Sequence, residues 1–252
     1  MHLLVELRDR VLHLTLNRPG KRNALNAEMC SGIVNAIKGA QERKEIGCIL
    51  ISANGSVFSA GMDLDEAVGP QAAQLSAVHE ALFTIGSVSL KPIVICVCGA
   101  ALGGGLGVIA QGHVVLSAEG AAFGLTEIRV GLWPFLVYRS VEAALGPRRA
   151  LQLSLTGRVF HSEDALRWGL VHEVCPPAET FERAELLARE IGNASPLAIA
   201  AGMRYVRDSR GKSFEEAGQL AASLRDVLMQ SADFQEGVAA FKERREPRWS
   251  GV

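Results

Sequence analysis

An apolar strand that runs directly into a glycine-rich turn is the feature that most constrains the fold of this chain. Residues 92–98 are rich in β-branched side chains, as in a buried strand, and residues 99–107 include five glycines. A short apolar stretch and another strand-like run, residues 114–117, come next. An earlier buried strand, residues 48–52, is likewise followed by a loop of small residues, 53–61. This alternation of strand, turn and helix predicts an α/β fold.

The rest of the first 120 residues fits the same pattern. Two short apolar runs, residues 3–7 and 11–16, are separated by charged residues and predict a hairpin. Asn26 is a suitable N-cap for a helix over residues 27–43, and a more polar helix is predicted over residues 71–86.

The second half of the chain has a different residue pattern. From about Glu142 onward the sequence predicts amphipathic helices without matching strands, at residues 162–169, 178–193, 196–208, 214–230 and 233–245. Their apolar faces must pack on each other, on the α/β part or on another subunit. Because no Gly/Ser linker separates the halves, we expect residues 1–195 to form a core and residues 196–252 to form a helical region packed on that core or on neighbouring subunits.

Composition narrows the class of protein. The chain has 252 residues, 48% hydrophobic and 21% charged, which is typical of a globular protein. A net charge of -1 argues against a nucleic-acid partner, because such binding usually depends on excess positive charge. The chain shows no leader-like start and no uncharged run of membrane-spanning length, so we expect a cytoplasmic protein with no membrane partner.

The cysteines and histidines do not suggest a metal site. The five cysteines form no Cys-x-x-Cys pair and the six histidines form no cluster with metal-ligand spacing. We therefore expect no metal, and we interpret the cysteines as reduced core residues.

The glycine-rich turn is compatible with several functions. Free N–H groups at a helix start can bind a phosphate, a dinucleotide pyrophosphate or a developing oxyanion. A phosphate loop is disfavoured because no Lys-Ser or Lys-Thr follows at the required spacing. Residues 105–110 match G-x-G-x-x-A, with Glu127 downstream, so a dinucleotide-binding oxidoreductase stays open. The glycines are also compatible with close packing alone.

A second loop offers a matching donor. Residues 58–64 (Phe-Ser-Ala-Gly-Met-Asp-Leu) follow a strand and expose the N–H of Met62, as the later loop exposes that of Gly104. Two such donors that converge on one point would form an oxyanion hole, which stabilises negative charge on a carbonyl oxygen.

Three motifs in order give the chain a family resemblance. Residues 16–26 (Leu-Asn-Arg-Pro-Gly-Lys-Arg-Asn-Ala-Leu-Asn), residues 58–64 and the glycine triple 103–105 resemble the crotonase, or enoyl-CoA hydratase/isomerase, family. Residues 123–128 and 241–245 extend the resemblance over nearly the whole chain. It implies a spiral of ββα units with a C-terminal helical region that builds trimers, often stacked as hexamers. It also implies an acyl-coenzyme A (acyl-CoA) thioester as substrate, with no separate cofactor.

The resemblance also implies roles for individual residues. Met62 and Gly104 correspond to the oxyanion-hole donors of the family. Lys242 lies where a basic residue, often from a neighbouring subunit, meets a coenzyme A phosphate. The implied substrate-binding set comprises Lys21, Arg22 and Ala24 along the coenzyme A path, Ala60, Asp63 and Leu64 around the adenine, and Leu102.

One departure from the family pattern bears on the reaction. Family hydratases use two glutamates, but here the first position is Gly107 and only the second, Glu127, is present. Hydration divides water activation and proton delivery between two groups, whereas one carboxylate can move a proton from C2 to C4. The resemblance thus favours an isomerase that converts a 3-enoyl-CoA to a 2-enoyl-CoA through Glu127. Two alternatives remain: a hydratase without the first glutamate, and a non-catalytic acyl-CoA-binding homologue.

The residues after Glu127 bear on which of the family's reactions the chain catalyses. Some family members place a catalytic Asp several residues beyond this glutamate, but residues 129–139 contain no carboxylate. We expect Phe135 and its apolar neighbours to line an acyl pocket, where dry surroundings would raise the pKa of Glu127. We expect Tyr138 to be a packed side chain rather than a proton donor.

Overall fold

The computed structural model describes residues 1–70 and 72–251. In these residues we find ten strands: β1 Leu3–Arg8, β2 Val11–Leu16, β3 Cys48–Ala53, β4 Val57–Ser59, β5 Ile93–Val97, β6 Ala100–Leu102, β7 Val114–Ala118, β8 Ala122–Gly124, β9 Val159–His161 and β10 Glu173–Cys175. The α-helices there are α1 Ala27–Ala40, α2 Leu64–Ala67, α3 Ala72–Leu82, α4 Ile85–Val88, α5 Gly104–Ile109, α6 Phe135–Leu145, α7 Pro147–Thr156, α8 Ser162–Arg167, α9 Thr180–Gly192, α10 Pro196–Asp208, α11 Phe214–Met229 and α12 Ala232–Glu243.

A six-stranded sheet forms the centre of the molecule, in the order β1-β2-β3-β5-β7-β10. The β1–β2 hairpin is antiparallel and the other pairs are parallel. Neighbouring residues of β5 alternate between two buried clusters: Ile93 and Ile95 join the larger one, while Val94 and Cys96 face the helix α9. Both faces of the sheet are therefore covered, which explains the continuous apolar runs of its strands.

A four-stranded sheet lies beside it, in the order β4-β6-β8-β9. Its first three strands are parallel and β9 pairs with β8 in the antiparallel direction. Phe58, Phe123 and Phe160, one each from β4, β8 and β9, are almost fully buried in the larger core cluster. These aromatic side chains anchor the small sheet to the core.

Most of the local predictions for the first half are confirmed. The hairpin and the strand at residue 48 lie where the sequence places them, and Asn26 caps α1 by accepting a hydrogen bond from Met29 N. The helix predicted over residues 71–86 is instead two helices, α3 and the short α4. Gln71, at its predicted start, lies outside the described residues.

The prediction that the second half lacks strands is wrong. The strands β9 and β10 have three residues each, and β10 pairs with β7 to extend the central sheet. Such short strands leave no detectable period-2 pattern, because three residues cannot establish an alternation. The last three helices form a chain of contacts, α10 on α11 and α11 on α12. None of the helices described is both long enough and apolar enough to cross a membrane.

Candidate active site

Three parallel strands bring the predicted catalytic residues to one edge of the small sheet. The strands β4, β6 and β8 end at Ser59, Leu102 and Gly124. Two or three residues after these ends come the residues predicted to carry the chemistry, namely Met62, Gly104 and Glu127. Because parallel strands place their carboxyl ends at the same edge, the topology alone collects these groups.

The backbone N–H groups of Met62 and Gly104 lie close to each other in the structure. Gly61 has φ +94°, and a Cβ there would lie 2.8 Å from the carbonyl oxygen of Leu102 and 3.1 Å from Gly104 N. Met62 N in turn lies 3.6 Å from the position that a Cβ of Gly104 would take. Within residues 1–70 and 72–251, neither Met62 N nor Gly104 N donates a hydrogen bond to another group. Both N–H groups are therefore available to a ligand oxygen.

The glycine triple makes this close approach possible. Gly103 has φ +53° and donates its N–H to Gly124 O at 2.8 Å, which ties β6 to β8 at the helix start. A Cβ on Gly105 would lie 2.6 Å from the carbonyl oxygen of Ser59. Gly104 is the first residue of α5, where backbone N–H groups have no intrahelical partner. The turn thus leaves the N–H of Gly104 without a partner in the helix.

Glu127 lies across this turn from the donors. It starts a short 3-10 turn, Glu127–Val130, which Gly131 ends in the left-handed conformation. Its Oε1 lies 3.2 Å from the position that a Cβ of Gly103 would take. Among the described residues, Glu127 Oε2 is the one buried carboxylate oxygen without a hydrogen-bond partner. Burial raises the pKa of Glu127, and the hydrogen bond from its own backbone N–H only partly opposes this shift. An unpaired carboxylate with a raised pKa is suited to act as a general base.

The position of the absent glutamate is filled by apolar side chains. A Cβ on Gly107 would lie 2.8 Å and 2.9 Å from two ring atoms of Phe83 and 2.9 Å from Val137 Cγ1. Phe83 and Val137 are buried, and the tip of the Phe83 ring also lies 3.2 Å from the Cβ position of Gly104. The space that a second carboxylate would need beneath the oxyanion hole is therefore occupied.

The dinucleotide-binding interpretation does not fit this geometry. Gly105 and Gly107 lie inside α5, which spans only Gly104–Ile109 and is buried along its whole length. Both contact protein atoms at distances that leave no room for a side chain. The G-x-G-x-x-A match is thus explained by packing of a short helix rather than by a pyrophosphate at its N-terminus.

The first motif is held directly against the second. Ala60 N donates to Arg22 O at 2.9 Å, and Ala24 N donates to Lys21 O at 3.0 Å. The side chains of Lys21 and Arg22 are exposed, and Lys21 Nζ forms a surface ion pair with Asp65 at 3.1 Å. The structure thus brings four of the predicted substrate-binding residues, Lys21, Arg22, Ala24 and Ala60, into one continuous stretch of surface.

Asp63 has a structural role that the sequence did not predict. Its carboxylate pairs with Arg18 Nη1 at 2.6 Å and accepts hydrogen bonds from Asp65 N and Glu66 N at the start of α2. Burial would raise the pKa of Asp63, but the hydrogen bond and charge of Arg18 outweigh that effect, and the pKa is lowered. The side chain is committed to these partners. The backbone N–H of Asp63 also donates to Leu25 O, and its backbone oxygen accepts from Ala67 N, so Asp63 holds the loop in place.

The remaining predicted binding residues are not all close together. Leu64 is 53% exposed at the start of α2, and Leu102 is partly buried beside the glycine triple. Lys242 lies on α12, exposed, and makes no hydrogen bond or ion pair with the other predicted site residues in the described part of the chain. A single copy of the chain thus gives Lys242 no visible link to the site.

Sequence reasoning missed Asn23, which holds the site loops together. Asn23 is fully buried with φ +51°, and its amide group donates to Asn54 O at 2.9 Å and to Val57 O at 2.8 Å. Its side-chain oxygen accepts from Arg18 N at 2.7 Å, and its backbone oxygen accepts from the Ser59 hydroxyl. The available signal was an asparagine followed by an apolar residue inside a polar loop, because asparagine tolerates the left-handed conformation.

Phe135 borders a cavity that the predicted catalytic residues do not line. It is 72% exposed, and with Leu136 and Arg139 it borders a cavity of about 940 Å³ whose lining includes none of Met62, Gly104 and Glu127. The expectation that Phe135 and its apolar neighbours line an acyl pocket stays a prediction. Tyr138 packs its ring 6.2 Å from that of Trp133, as expected for a packed side chain.

Comparison with known proteins decides the family. The sequence model of the enoyl-CoA hydratase/isomerase family matches residues 6–252. The chain belongs to the enoyl-CoA hydratase/isomerase family. The chain is an acyl-CoA enzyme of this family. In the described residues, no group of three or more His, Cys, Asp and Glu side chains is placed to hold a metal ion.

Individual relatives carry names for two different reactions. The 2,3-dehydroadipyl-CoA hydratase of Escherichia coli is 34% identical over 99% of this chain and 98% of that protein. The trans-2-decenoyl-[acyl-carrier-protein] isomerase of Streptococcus mutans is 30% identical over 99% and 98%. The crystal structure of an enoyl-CoA hydratase from Bacillus anthracis aligns with a TM-score of 0.93 at 25% identity and covers both chains fully. The predicted crotonase-like α/β fold with helices at its C-terminal end is confirmed.

Proposed function

We propose that this enzyme shifts the double bond of a 3-enoyl-CoA to give the 2-enoyl-CoA, with Glu127 as its single general base. The observation that carries the proposal is Glu127 itself, whose buried Oε2 has no partner among the described residues. The carboxylate lies against Gly103, on the turn that also presents the N–H of Gly104. No family name alone distinguishes this reaction from hydration, so the proposal depends on how many bases the site holds.

The geometry supports a simple proton path. The thioester oxygen accepts hydrogen bonds from Met62 N and Gly104 N, which stabilise the negative charge that develops on it as an enolate. Glu127 removes a proton from C2, the electrons delocalise toward the thioester oxygen and C4, and the same carboxyl group returns the proton to C4. No atom is gained or lost, and Glu127 ends in the state in which it began.

The packing around Gly107 supports one base rather than two. Addition of water requires one group that activates the water and one that delivers a proton to the α-carbon. Phe83 and Val137 fill the space next to Gly107 with apolar atoms. A dry wall at this position disfavours an ordered attacking water and is consistent with the raised pKa of Glu127.

Hydration is the second candidate. It is favoured by the relative that is 34% identical, which is named a hydratase. In that case some other group, or a water held by the backbone, would have to replace the absent glutamate.

We also propose how coenzyme A and neighbouring copies contribute. Lys21, Arg22, Ala24 and Ala60 form continuous surface beside the oxyanion hole, and the exposed side chain of Leu64 extends it toward the adenine. Residues 196–252 act as an assembly region that forms a trimer, or a hexamer of two trimers. Phe241, beside Lys242, is 85% exposed in the single chain, which supports burial of this face against a neighbour. Lys242 would then reach the coenzyme A phosphate of the neighbouring copy.

The deciding experiment follows the substrate by NMR. A 3-enoyl-CoA is incubated with the enzyme in deuterated water, and the double-bond position and the deuterium at C2 and C4 are measured, with Glu127→Gln as the matched variant. We expect the double bond to move, and the rate to fall by about 10²- to 10⁴-fold in Glu127→Gln. Binding of the acyl-CoA to Glu127→Gln, measured by calorimetry, separates loss of the base from loss of the site.

The other outcomes identify the alternatives. Formation of a hydroxyacyl-CoA by the unaltered enzyme would overturn the isomerase proposal in favour of hydration. Binding of the 3-enoyl-CoA without turnover or exchange would also overturn the isomerase proposal. A gain of hydration requires room as well as a carboxylate, so Gly107→Glu is best combined with Phe83→Ala, and Phe83→Ala alone is the control.

A further inference from the structure

Two thiols lie side by side where β5 ends, outside the site described above. Cys96 is the fourth residue of β5 and is buried, whereas Cys98 directly follows the strand and is exposed. Alternate residues of a strand share a face, and the two sulfur atoms are 3.5 Å apart. The expectation that all five cysteines are core residues is therefore wrong for Cys98, because the strand runs out of the core at this residue.

The two thiols have different chemical states. The contact with Cys96 lowers the pKa of Cys98 to about 7, because the S–H of Cys96 can donate to a thiolate at Cys98, although burial works in the opposite direction. The same contact, together with burial, raises the pKa of Cys96. Cys98 is thus the accessible thiolate and Cys96 the protonated neighbour. Such an arrangement makes an exposed cysteine reactive toward oxidants.

We propose that Cys96 and Cys98 are a modification site, where a hydroperoxide such as hydrogen peroxide converts the two thiols into a reversible disulfide. Residues two apart in a strand have Cα atoms about 6.6 Å apart, near the upper end of the range that a disulfide spans. The sulfur atoms must approach each other by about 1.5 Å from their present separation. A disulfide strained in this way is readily reduced, which suits a reversible modification rather than a structural crosslink.

The chemistry balances without any further reactant. The thiolate of Cys98 attacks one peroxide oxygen, the O–O bond breaks, and hydroxide leaves to take up the proton that the thiol had released. The sulfur of Cys96 then attacks the sulfenic acid of Cys98, the S–O bond breaks, and the departing hydroxide takes the proton of Cys96. Two thiols and one hydrogen peroxide become one disulfide and two waters, and each sulfur loses one electron.

A third cysteine lies near this pair but is engaged elsewhere. Cys175, on β10, is close enough to Cys96 to raise its pKa. Its own S–H donates to Glu173 Oε1 at 3.5 Å. The pairing with Cys98 is therefore favoured over a pairing with Cys175, and the test must distinguish the two.

The position of the pair links oxidation to the oxyanion hole. Gly99 follows Cys98 and leads into β6, which ends just before Gly103 and Gly104. A Cβ on Gly99 would overlap the carbonyl oxygen of Ser56, so the connection is pressed against the backbone that leads into β4. Movement of Cys98 toward Cys96 therefore shifts the start of β6. We expect slower turnover in the oxidised enzyme; this effect on rate rests on the proposed function, but formation of the disulfide does not.

Intact mass spectrometry tests the disulfide directly. The full-length enzyme is treated with hydrogen peroxide near equimolar amounts, and we expect each chain to lose about 2 Da and regain it with dithiothreitol. Fragmentation should place the link between Cys96 and Cys98. Cys98→Ser should abolish the mass loss, Cys96→Ser should leave a sulfenic acid on Cys98 that dimedone traps, and Cys30→Ser, a buried thiol in α1, should behave as the unaltered chain.

Each other result counts against the proposal. Unchanged mass, oxygen addition at Cys98 without a disulfide, or a disulfide that persists in Cys98→Ser and maps to Cys96 and Cys175 would each overturn it. If the serine variants do not fold, selective alkylation of Cys98 on the folded protein before peroxide supplies the same comparison. Turnover before and after dithiothreitol is measured on the same samples, so a negative rate result leaves the mass result intact.

Discussion

The helix at the active site and the first helix of the C-terminal region both contain glycine, but for opposite reasons. All six residues of α5 are buried, and side chains at Gly105 and Gly107 would meet protein atoms at 2.9 Å or less. In α10 no residue is fully buried, and a Cβ on Gly202 would meet nothing within 4 Å. The glycines of α5 are required by close contacts, whereas Gly202 is not required by any contact within this chain.

Apolar side chains show the same difference between the two regions. Around α5, Leu25 and Phe83 are buried against the glycines. In the C-terminal region, Phe214 is 98% exposed and Phe241 is 85% exposed. The active-site edge is thus completed by the chain's own packing, while the C-terminal helices present apolar surface that nothing in a single copy covers. The proposed catalytic centre and the proposed assembly surface can therefore be altered by separate mutations.

The largest effect should come from a side chain added beside the oxyanion hole. We expect Gly61→Ala to lower kcat by about 10²- to 10³-fold, because its Cβ would press on the Leu102 carbonyl oxygen and displace the N–H of Met62 or Gly104. Steady-state kinetics on the substrate found by the NMR experiment measures it. Gly202→Ala, made in parallel, should keep the unaltered rate; equal rates for both variants would show that Gly61 does not set the hole.

The next effect concerns assembly. If Phe241 is buried between copies, Phe241→Ala should weaken association by about 2 kcal/mol, or roughly 30-fold in the dissociation constant. Sedimentation velocity over a dilution series measures this change. Val68→Ala removes an equally exposed side chain outside the C-terminal region and should leave association unchanged. A chain that is monomeric at all concentrations before mutation would refute the proposed assembly.

A smaller effect, on stability, contrasts two helical glycines. Gly107→Ala should destabilise the fold by about 1–3 kcal/mol, because the new methyl group would press on Phe83 and Val137. Gly218→Ala in α11 meets nothing within 4 Å and should stabilise the fold by about 0.4–1 kcal/mol. Urea unfolding of both variants gives the two free-energy changes. Changes of the same sign would contradict the difference that we infer between the regions.

The sequence was most informative where a local pattern has one physical cause. The hairpin, the capped helix α1 and the buried strands β3 and β5 follow from turn chemistry, capping and apolar runs. The glycine-rich loops predict backbone donors at Met62 and Gly104, because glycine is where a chain can approach itself most closely. In the structure these two N–H groups are neighbours, and their role as an oxyanion hole stays a prediction.

The sequence could not supply facts that depend on distant parts of the chain. Asp63 pairs with Arg18, 45 residues away, and Asn23 joins loops that begin 31 and 34 residues later. Nothing in the local pattern distinguishes these residues from solvated polar side chains. The strand β10 is recognisable only by its pairing with β7, and Phe83, which follows α3, acquires its place next to Gly107 only through tertiary packing against α5.

The buried carboxylate of Glu127 lowers the stability of the fold, but the proposed reaction needs it as a base. Burial raises its pKa in the folded state, so the folded protein binds the proton more tightly than the unfolded chain does. The stability of the unaltered protein therefore decreases as pH rises from the unfolded pKa of Glu toward the folded pKa, by about 1.4 kcal/mol for each pH unit that separates the two values.

Glu127→Gln removes this dependence. The variant should melt at a higher temperature than the unaltered protein at pH 7, with the difference disappearing near pH 4, where Glu127 is protonated in both states. The kcat/KM of the unaltered enzyme should fall as pH drops through the folded pKa, because only the ionised carboxylate accepts the C2 proton. Calorimetric melting curves and pH–rate profiles measure the two trends, and a variant that is less stable at pH 7 would mean that Glu127 is held by favourable contacts instead of being poised as a base.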